Sequence, residues 1–117
     1  MAKRPPRLIR ANEQRFTPRF EYGEQAEVSV ASGPEDGTAL GTGMVRMHNA
    51  RIPWTIKYDE VVLVLEGTLT IQTSAGDLTA GPHDSIWLPA GTELTYIADN
   101  ALVFYAIHPA NWADAEG

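Results

Sequence analysis

With 117 residues, 44% of them hydrophobic and 21% charged, the chain is long enough to bury one core and too short for two. No apolar run reaches the roughly 18 to 20 residues of a membrane-spanning helix. The absence of cysteine excludes disulfides, a thiolate nucleophile, a cysteine zinc site and an iron–sulfur cluster, so any metal must be held by histidine and carboxylate.

The formal charge of −6 is unevenly spread. Lys3, Arg4, Arg7, Arg10, Arg15 and Arg19 all lie in the first twenty positions, opposed there by Glu13 alone. The remainder is strongly acidic and would repel a phosphate backbone, and the arm has no interleaved aromatics on which bases could stack. Nucleic acid is therefore not an expected partner. The arm is expected to dock on its own acidic body or on that of a second subunit. The first twenty residues lack the apolar centre of a signal peptide, so the expected location is cytoplasmic, with no membrane association.

From Ala26 onward short β-type runs alternate with turn residues, predicting an all-β single domain. Glu27 to Ala31 is a first strand, ended by Ser32 to Thr38 with its Asp36-Gly37 turn. A second spans Thr42 to His48. Trp54 to Leu65 reads as one long strand, bent at Glu66-Gly67 into Thr68 to Thr73. Turns follow at Ser74 to Asp77 and at Gly81-Pro82. Asp84 to Leu88, Glu93 to Ala98 and Ala101 to His108 complete the series, divided by Pro89-Ala90-Gly91 and Asp99-Asn100. This spacing fits a jelly roll or a sandwich, with residues 1–25 as a basic arm, 26–112 as the barrel and 113–117 as a tail. The strand from Trp54 is apolar on both alternating faces, which predicts cover on both sides and hence a homodimer.

Two segments carry recognisable spacing. Glu60 and Gly67 match the closing E-x6-G of the first cupin motif, and Pro89 and Gly91 match the second, where His83 takes the place of its opening glycine. The chain thus resembles the cupin superfamily, an RmlC-like jelly-roll β-barrel. Cupin metal sites use three imidazoles and a carboxylate, which suit a divalent transition metal. Here the histidine positions fall on Trp54 and Ile56, or on Pro53 and Thr55, and on Leu94, leaving Glu60 as the one matching ligand. No metal or other cofactor is expected, although a divalent ion held by Glu60 and a histidine stays open. His48, His83 and His108 lie elsewhere and read as surface or hydrogen-bonded histidines.

Asn49-Ala50, Pro53-Trp54-Thr55, Tyr58-Asp59-Glu60, Leu65-Glu66-Gly67, Ala80-Gly81, Pro89-Ala90-Gly91 and Pro109-Ala110-Asn111-Trp112 resemble the cupin domain of the ethanolamine-utilization protein EutQ family. The likeness runs from about Thr38 to Trp112. It implies a cupin in which loss of the histidines is a family trait. It also implies an acetate kinase activity, for which this sequence shows no G-x-x-x-x-G-K-[ST] phosphate loop. His48 and His108 stand where relatives tend to have Glu and Trp, so no substrate carries over.

Strand alternation places Trp54, Ile56, Tyr58, Glu60, Val62 and Val64 on one face, and the cupin precedent turns that face inward. Tyr96 is expected to share it, and Tyr105 aligns with a family tyrosine. The expected site is an apolar cup for a small-molecule ligand, with Glu60 and Tyr58 as acid–base residues and Trp54, Ile56, Tyr96 and Tyr105 as substrate contacts. Burial would raise the Glu60 pKa toward neutrality. Glu60 could equally be a satisfied partner of Tyr58 or of a backbone amide. Trp87, Trp112 and Met44 read as packing or interface residues. Three functions stay open: an acid–base enzyme acting on a small polar metabolite, a non-catalytic binding or sensory cupin, and an assembly partner in a metabolic complex.

Overall fold

A computed structural model describes residues 3–19 and 22–115. The strands are β1 (Thr17–Pro18), β2 (Ala26–Ser32), β3 (Gly41–Thr55), β4 (Asp59–Gly67), β5 (Leu69–Thr73), β6 (Gly76–Ala80), β7 (Ser85–Leu88) and β8 (Glu93–His108), followed by the one-turn helix α1 (Trp112–Ala115). All pairings are antiparallel. The path β1-β2-β3-β8-β4-β7 runs through the sheet, and the β5-β6 hairpin joins it along β8. The expected all-β jelly roll is what the chain forms.

Two strands are longer than expected: β3 extends the expected Thr42 to His48, and β8 joins the expected Glu93 to Ala98 and Ala101 to His108. β3 continues beyond His48, and β8 continues through Asp99-Asn100, the two strands pairing from Gly41↔Ile107 to Thr55↔Glu93. At their midpoint the inward-facing parity reverses. In β3 Val45 and Met47 are buried, then Ala50 and Ile52; in β8 Leu94, Tyr96 and Ala98 are buried, then Ala101 and Val103. Asn49, at φ 44, supplies the left-handed residue where β3 changes face. Each long strand therefore serves both ends of the barrel.

Conversely, the single strand expected from Trp54 to Leu65 is divided. β3 ends at Thr55, and Ile56 instead pairs with the following loop, its N–H donating to the Thr92 carbonyl (3.1 Å) and its carbonyl accepting from Gly91 N–H (2.8 Å). The E-x6-G glycine is sterically required. Gly67 sits at φ +79, and a Cβ there would lie 2.0 Å from the Asn100 carbonyl oxygen. The core joins Val62 and Val64 of β4 to Leu69 and Ile71 of β5, Leu88 of β7, and Leu94 and Val103 of β8.

On the outer side of β4, Val61 is 43% exposed and its cross-strand neighbour Trp87 is 59% exposed, whereas Leu63 and Leu65 are half-buried. The basic arm lies on its own body, where Arg7 pairs with Asp36 and also donates to the Ala31 carbonyl (2.7 Å). The end of the arm forms β1 through Thr17↔Val28 and Pro18↔Glu27. No helix among the described residues is long and apolar enough to cross a membrane.

Candidate active site in the barrel

The Tyr58-Asp59-Glu60 block does two jobs on opposite sides of β4. Asp59 points outward, and its Oδ1 accepts the Ala90 N–H at 2.9 Å, pinning the Pro89-Ala90-Gly91 turn. Glu60, one residue on, turns inward by strand alternation and is 6% exposed. Its register neighbours Leu88 and Ile107 supply no charge.

Tyr96 reaches the same wall from the first half of β8 and donates its hydroxyl to Glu60 Oε1 at 3.0 Å. Tyr105, beyond the parity reversal, projects inward between Gly43 and Val62. Gly43 makes the space for this ring, because a Cβ there would meet the Tyr105 hydroxyl at 2.7 Å and the Ser29 carbonyl at 2.3 Å. Tyr58, buried in the turn before β4, packs its ring on Trp112, with centroids 5.5 Å apart.

These groups line a cavity of about 440 Å³, together with Val45, Met47, Ile52, Val62 and Val103. Thr17, Pro18, Arg19, Gly33, Pro34 and Ala110 also line it. Of the expected site residues, Tyr58, Glu60, Tyr96 and Tyr105 therefore share one cavity. Trp54 and Ile56 do not line it. Ile56 is fully buried in the core because the chain leaves β3 there and folds against Thr92. Trp54, at the end of β3, packs edge-on against Trp112 at 6.0 Å and carries the Arg19 guanidinium 5.3 Å above its ring.

Arg19 is the residue that sequence reasoning missed. It reads as one more cation of a basic arm, and only its place directly after the β1 pair distinguishes it. Among the described residues lining the cavity, Arg19 and Glu60 carry the charge, and the remaining titratable groups are phenols.

Burial is the main force on the pKa values of Tyr58, Glu60, Tyr96 and Tyr105. Desolvation raises the Glu60 pKa to about 7, opposed by the Tyr96 hydrogen bond and the Arg19 charge. Tyr96 is driven well upward by desolvation and then by the Glu60 charge. Tyr58 and Tyr105 also rise through desolvation. Arg19 opposes the rise in both, and in Tyr58 donor contacts from Arg19 and Trp54 add to that opposition. The phenols thus remain protonated donors at physiological pH, while Glu60 exchanges its proton near neutrality.

The lining does not suit a cupin metal ion. It offers one carboxylate and no imidazole, and no three His, Asp or Glu side chains converge among the described residues. His48, His83 and His108 are exposed. His83 nevertheless accounts for its motif position: it adopts φ 74, the conformation expected of the glycine it replaces, while its N–H donates to the Val64 carbonyl at 2.7 Å.

Residues 8–114 match the family described as ethanolamine utilisation protein EutQ. The chain belongs to the EutQ family. Among curated EutQ proteins, that of Escherichia coli K12, named acetate kinase EutQ, is 33% identical over 79 residues, 67% of this chain and 34% of its own length. The chain spans between a third and a half of the lengths of the curated EutQ relatives it matches. The crystal structure of an ethanolamine utilization protein Q from Salmonella typhimurium LT2 superposes with a TM-score of 0.83 at 24% identity, covering 89% of this chain and 86% of that one. An RmlC-like cupin from Shewanella frigidimarina NCIMB 400 gives 0.74 at 11% identity, covering 94% and 96%. The fold of this EutQ-family chain is a cupin jelly roll.

Proposed function

We propose that this EutQ-family cupin is an acid–base enzyme acting on a small polar metabolite inside the barrel. The observation that carries the reading is the placement of Glu60. A single carboxyl, buried in an apolar cavity and hydrogen-bonded by Tyr96, has its pKa raised to about 7, the range in which a group both gives and takes protons efficiently. Tyr58 and Tyr105, held in the phenol form, would orient or protonate a substrate oxygen. Arg19 would steady negative charge developing there.

The name of the E. coli relative supports a second reading, acetate kinase activity. Phosphoryl transfer from a nucleoside triphosphate needs several cations around the phosphates, whereas Arg19 is the one cation among the described lining residues. Acid–base chemistry is the better match to this cup.

The test is a screen of small carbonyl metabolites in deuterated buffer, followed by proton NMR and mass spectrometry. The wild-type protein should exchange or convert at least one compound, and Glu60→Gln should abolish that turnover while keeping the fold. Binding that survives the substitution, with no product formed, would instead identify a binding or sensory module. Release of ADP from ATP and acetate would favour the kinase reading.

A further inference from the structure

We propose that the cavity takes an uncharged carbonyl compound with a bulky apolar body, its oxygen set between the Tyr105 hydroxyl and the Glu60 carboxyl and its body against Met47, Val62 and Val103. This rests on the acid–base reading above and deepens it by fixing the charge and shape of the substrate.

The register supplies the place for the carbonyl. Glu60 pairs with Ile107 and Val62 with Tyr105 across β4 and β8, so Tyr105 is the diagonal neighbour of Glu60, and both line the cavity. Diagonal positions lie roughly 7 to 8 Å apart, within reach of a phenol and a carboxyl that converge on one oxygen. Tyr96 donates to Glu60 Oε1, which leaves Oε2 to carry the acid proton. Among the described residues no side chain hydrogen-bonds the Tyr105 hydroxyl, so its O–H is a donor that a bound acceptor would satisfy.

The charge argument excludes ions of either sign. The Arg19 guanidinium lies over Trp54 and contacts the Tyr58 hydroxyl, so its charge is already engaged within the protein. That charge nevertheless reaches Glu60, Tyr96 and Tyr105 and would repel a cation. An anion would approach a body of formal charge −6 and enter a cavity with an acid of its own. An uncharged acceptor meets neither penalty.

The shape argument comes from the lining. At about 440 Å³, the cavity holds roughly fifteen water-sized groups, and its walls are mainly aliphatic. A very small ketone would leave most of that wall uncovered, whereas each additional buried methylene should tighten binding about fourfold.

Glu60 then couples binding to protonation. Arg19, Tyr58, Tyr96 and Tyr105 are the charged or titratable groups that face it, and its register neighbours Leu88 and Ile107 carry no charge. Protonated, Glu60 donates to the carbonyl. Ionised, it sets an acceptor against an acceptor. Affinity should therefore fall as pH rises through 7, where Glu60 loses its proton.

Calorimetric titration of the full chain with 4-phenyl-2-butanone tests this, with 3-phenylpropionate, 3-phenylpropylamine and acetone as comparators at pH 6 and pH 8. At pH 6 the ketone should bind at least about tenfold more tightly than each comparator, and its affinity should drop about tenfold at pH 8. Tyr105→Phe should weaken it about five- to tenfold, and Glu60→Gln, which keeps an N–H donor, should bind it equally at both pH values. Equal affinity for the carboxylate or the amine would overturn the uncharged class, and equal affinity for acetone would overturn the apolar body, whatever the variants do. A ketone affinity identical at pH 6 and 8 in the wild type would overturn the role given to Glu60. Exchange of the ketone's α-hydrogens in deuterated buffer is read separately: selective binding without exchange would keep this ligand class and overturn the acid–base reading, and exchange confined to a charged compound would do the reverse.

Discussion

Tyr96 and Glu60, thirty-six positions apart in sequence, meet inside the barrel, where the phenol donates to carboxylate Oε1 at 3.0 Å. The bond holds the one acid of the cup in place and restrains, without cancelling, the upward pull of desolvation on its pKa. Replacing Tyr96 by Phe should therefore raise the Glu60 pKa further and cost about 1 to 2 kcal/mol of stability. Carbon-13 NMR of the Glu60 carboxyl would read the first effect and urea denaturation the second.

Glu60 also sets a pH dependence of stability. Its folded pKa of about 7 lies above the ordinary 4.5, so the folded chain holds a proton that the unfolded chain releases. That contribution is fully present below pH 4.5 and is lost as pH rises through 7. At roughly 1.4 kcal/mol for each pH unit across this window, the loss is about 3 kcal/mol. Glu60→Gln keeps an acceptor for Tyr96 and carries no charge, so it should flatten the profile and exceed wild-type stability at pH 8.5. Urea midpoints at pH 5, 6, 7 and 8.5 measure both effects.

Gly43 is the space into which Tyr105 fits. Gly43→Ala places a methyl 2.7 Å from the phenol oxygen and 2.3 Å from the Ser29 carbonyl, so it should cost about 1 to 3 kcal/mol by overpacking and shift the Tyr105 ring. Combining it with Tyr105→Phe should recover only part of the loss, because the contact with Ser29 remains. Thermal denaturation of the three variants gives the comparison.

His83 holds a left-handed backbone without a glycine's freedom. His83→Gly should stabilise the chain by up to about 1 kcal/mol, the relief of strain exceeding the entropy cost of glycine. A lower denaturation midpoint would show that the exposed imidazole makes a compensating contact.

The outward face of β4 and β7 bears on the expected homodimer. Val61 and Trp87 pair across the strands on that face, and Trp87 lines a groove with Leu78. Light scattering at micromolar concentration should report a dimer, and Trp87→Ser should shift it toward monomer without loss of secondary structure.

What the sequence determined by itself is local. The all-β alternation, the Gly67 turn, the Pro89-Ala90-Gly91 loop and the shared face of Glu60, Val62 and Val64 follow from period-two patterning and from backbone positions that only a few residues tolerate, while the inward direction of that face came from the resemblance to cupins. Tertiary structure decided the rest. The division of Trp54 to Leu65 removed Trp54 and Ile56 from the cavity, because Ile56 found its hydrogen bonds on the distant Gly91-Thr92 loop. The parity reversals near Asn49 and Asp99-Asn100 let Tyr96 and Tyr105 share one wall. Arg19 entered the site because β1 pairs with β2, a register that no pattern within the arm specifies. Periodicity fixes which way a side chain points from its own strand, whereas membership of a cavity depends on where distant strands are brought to rest.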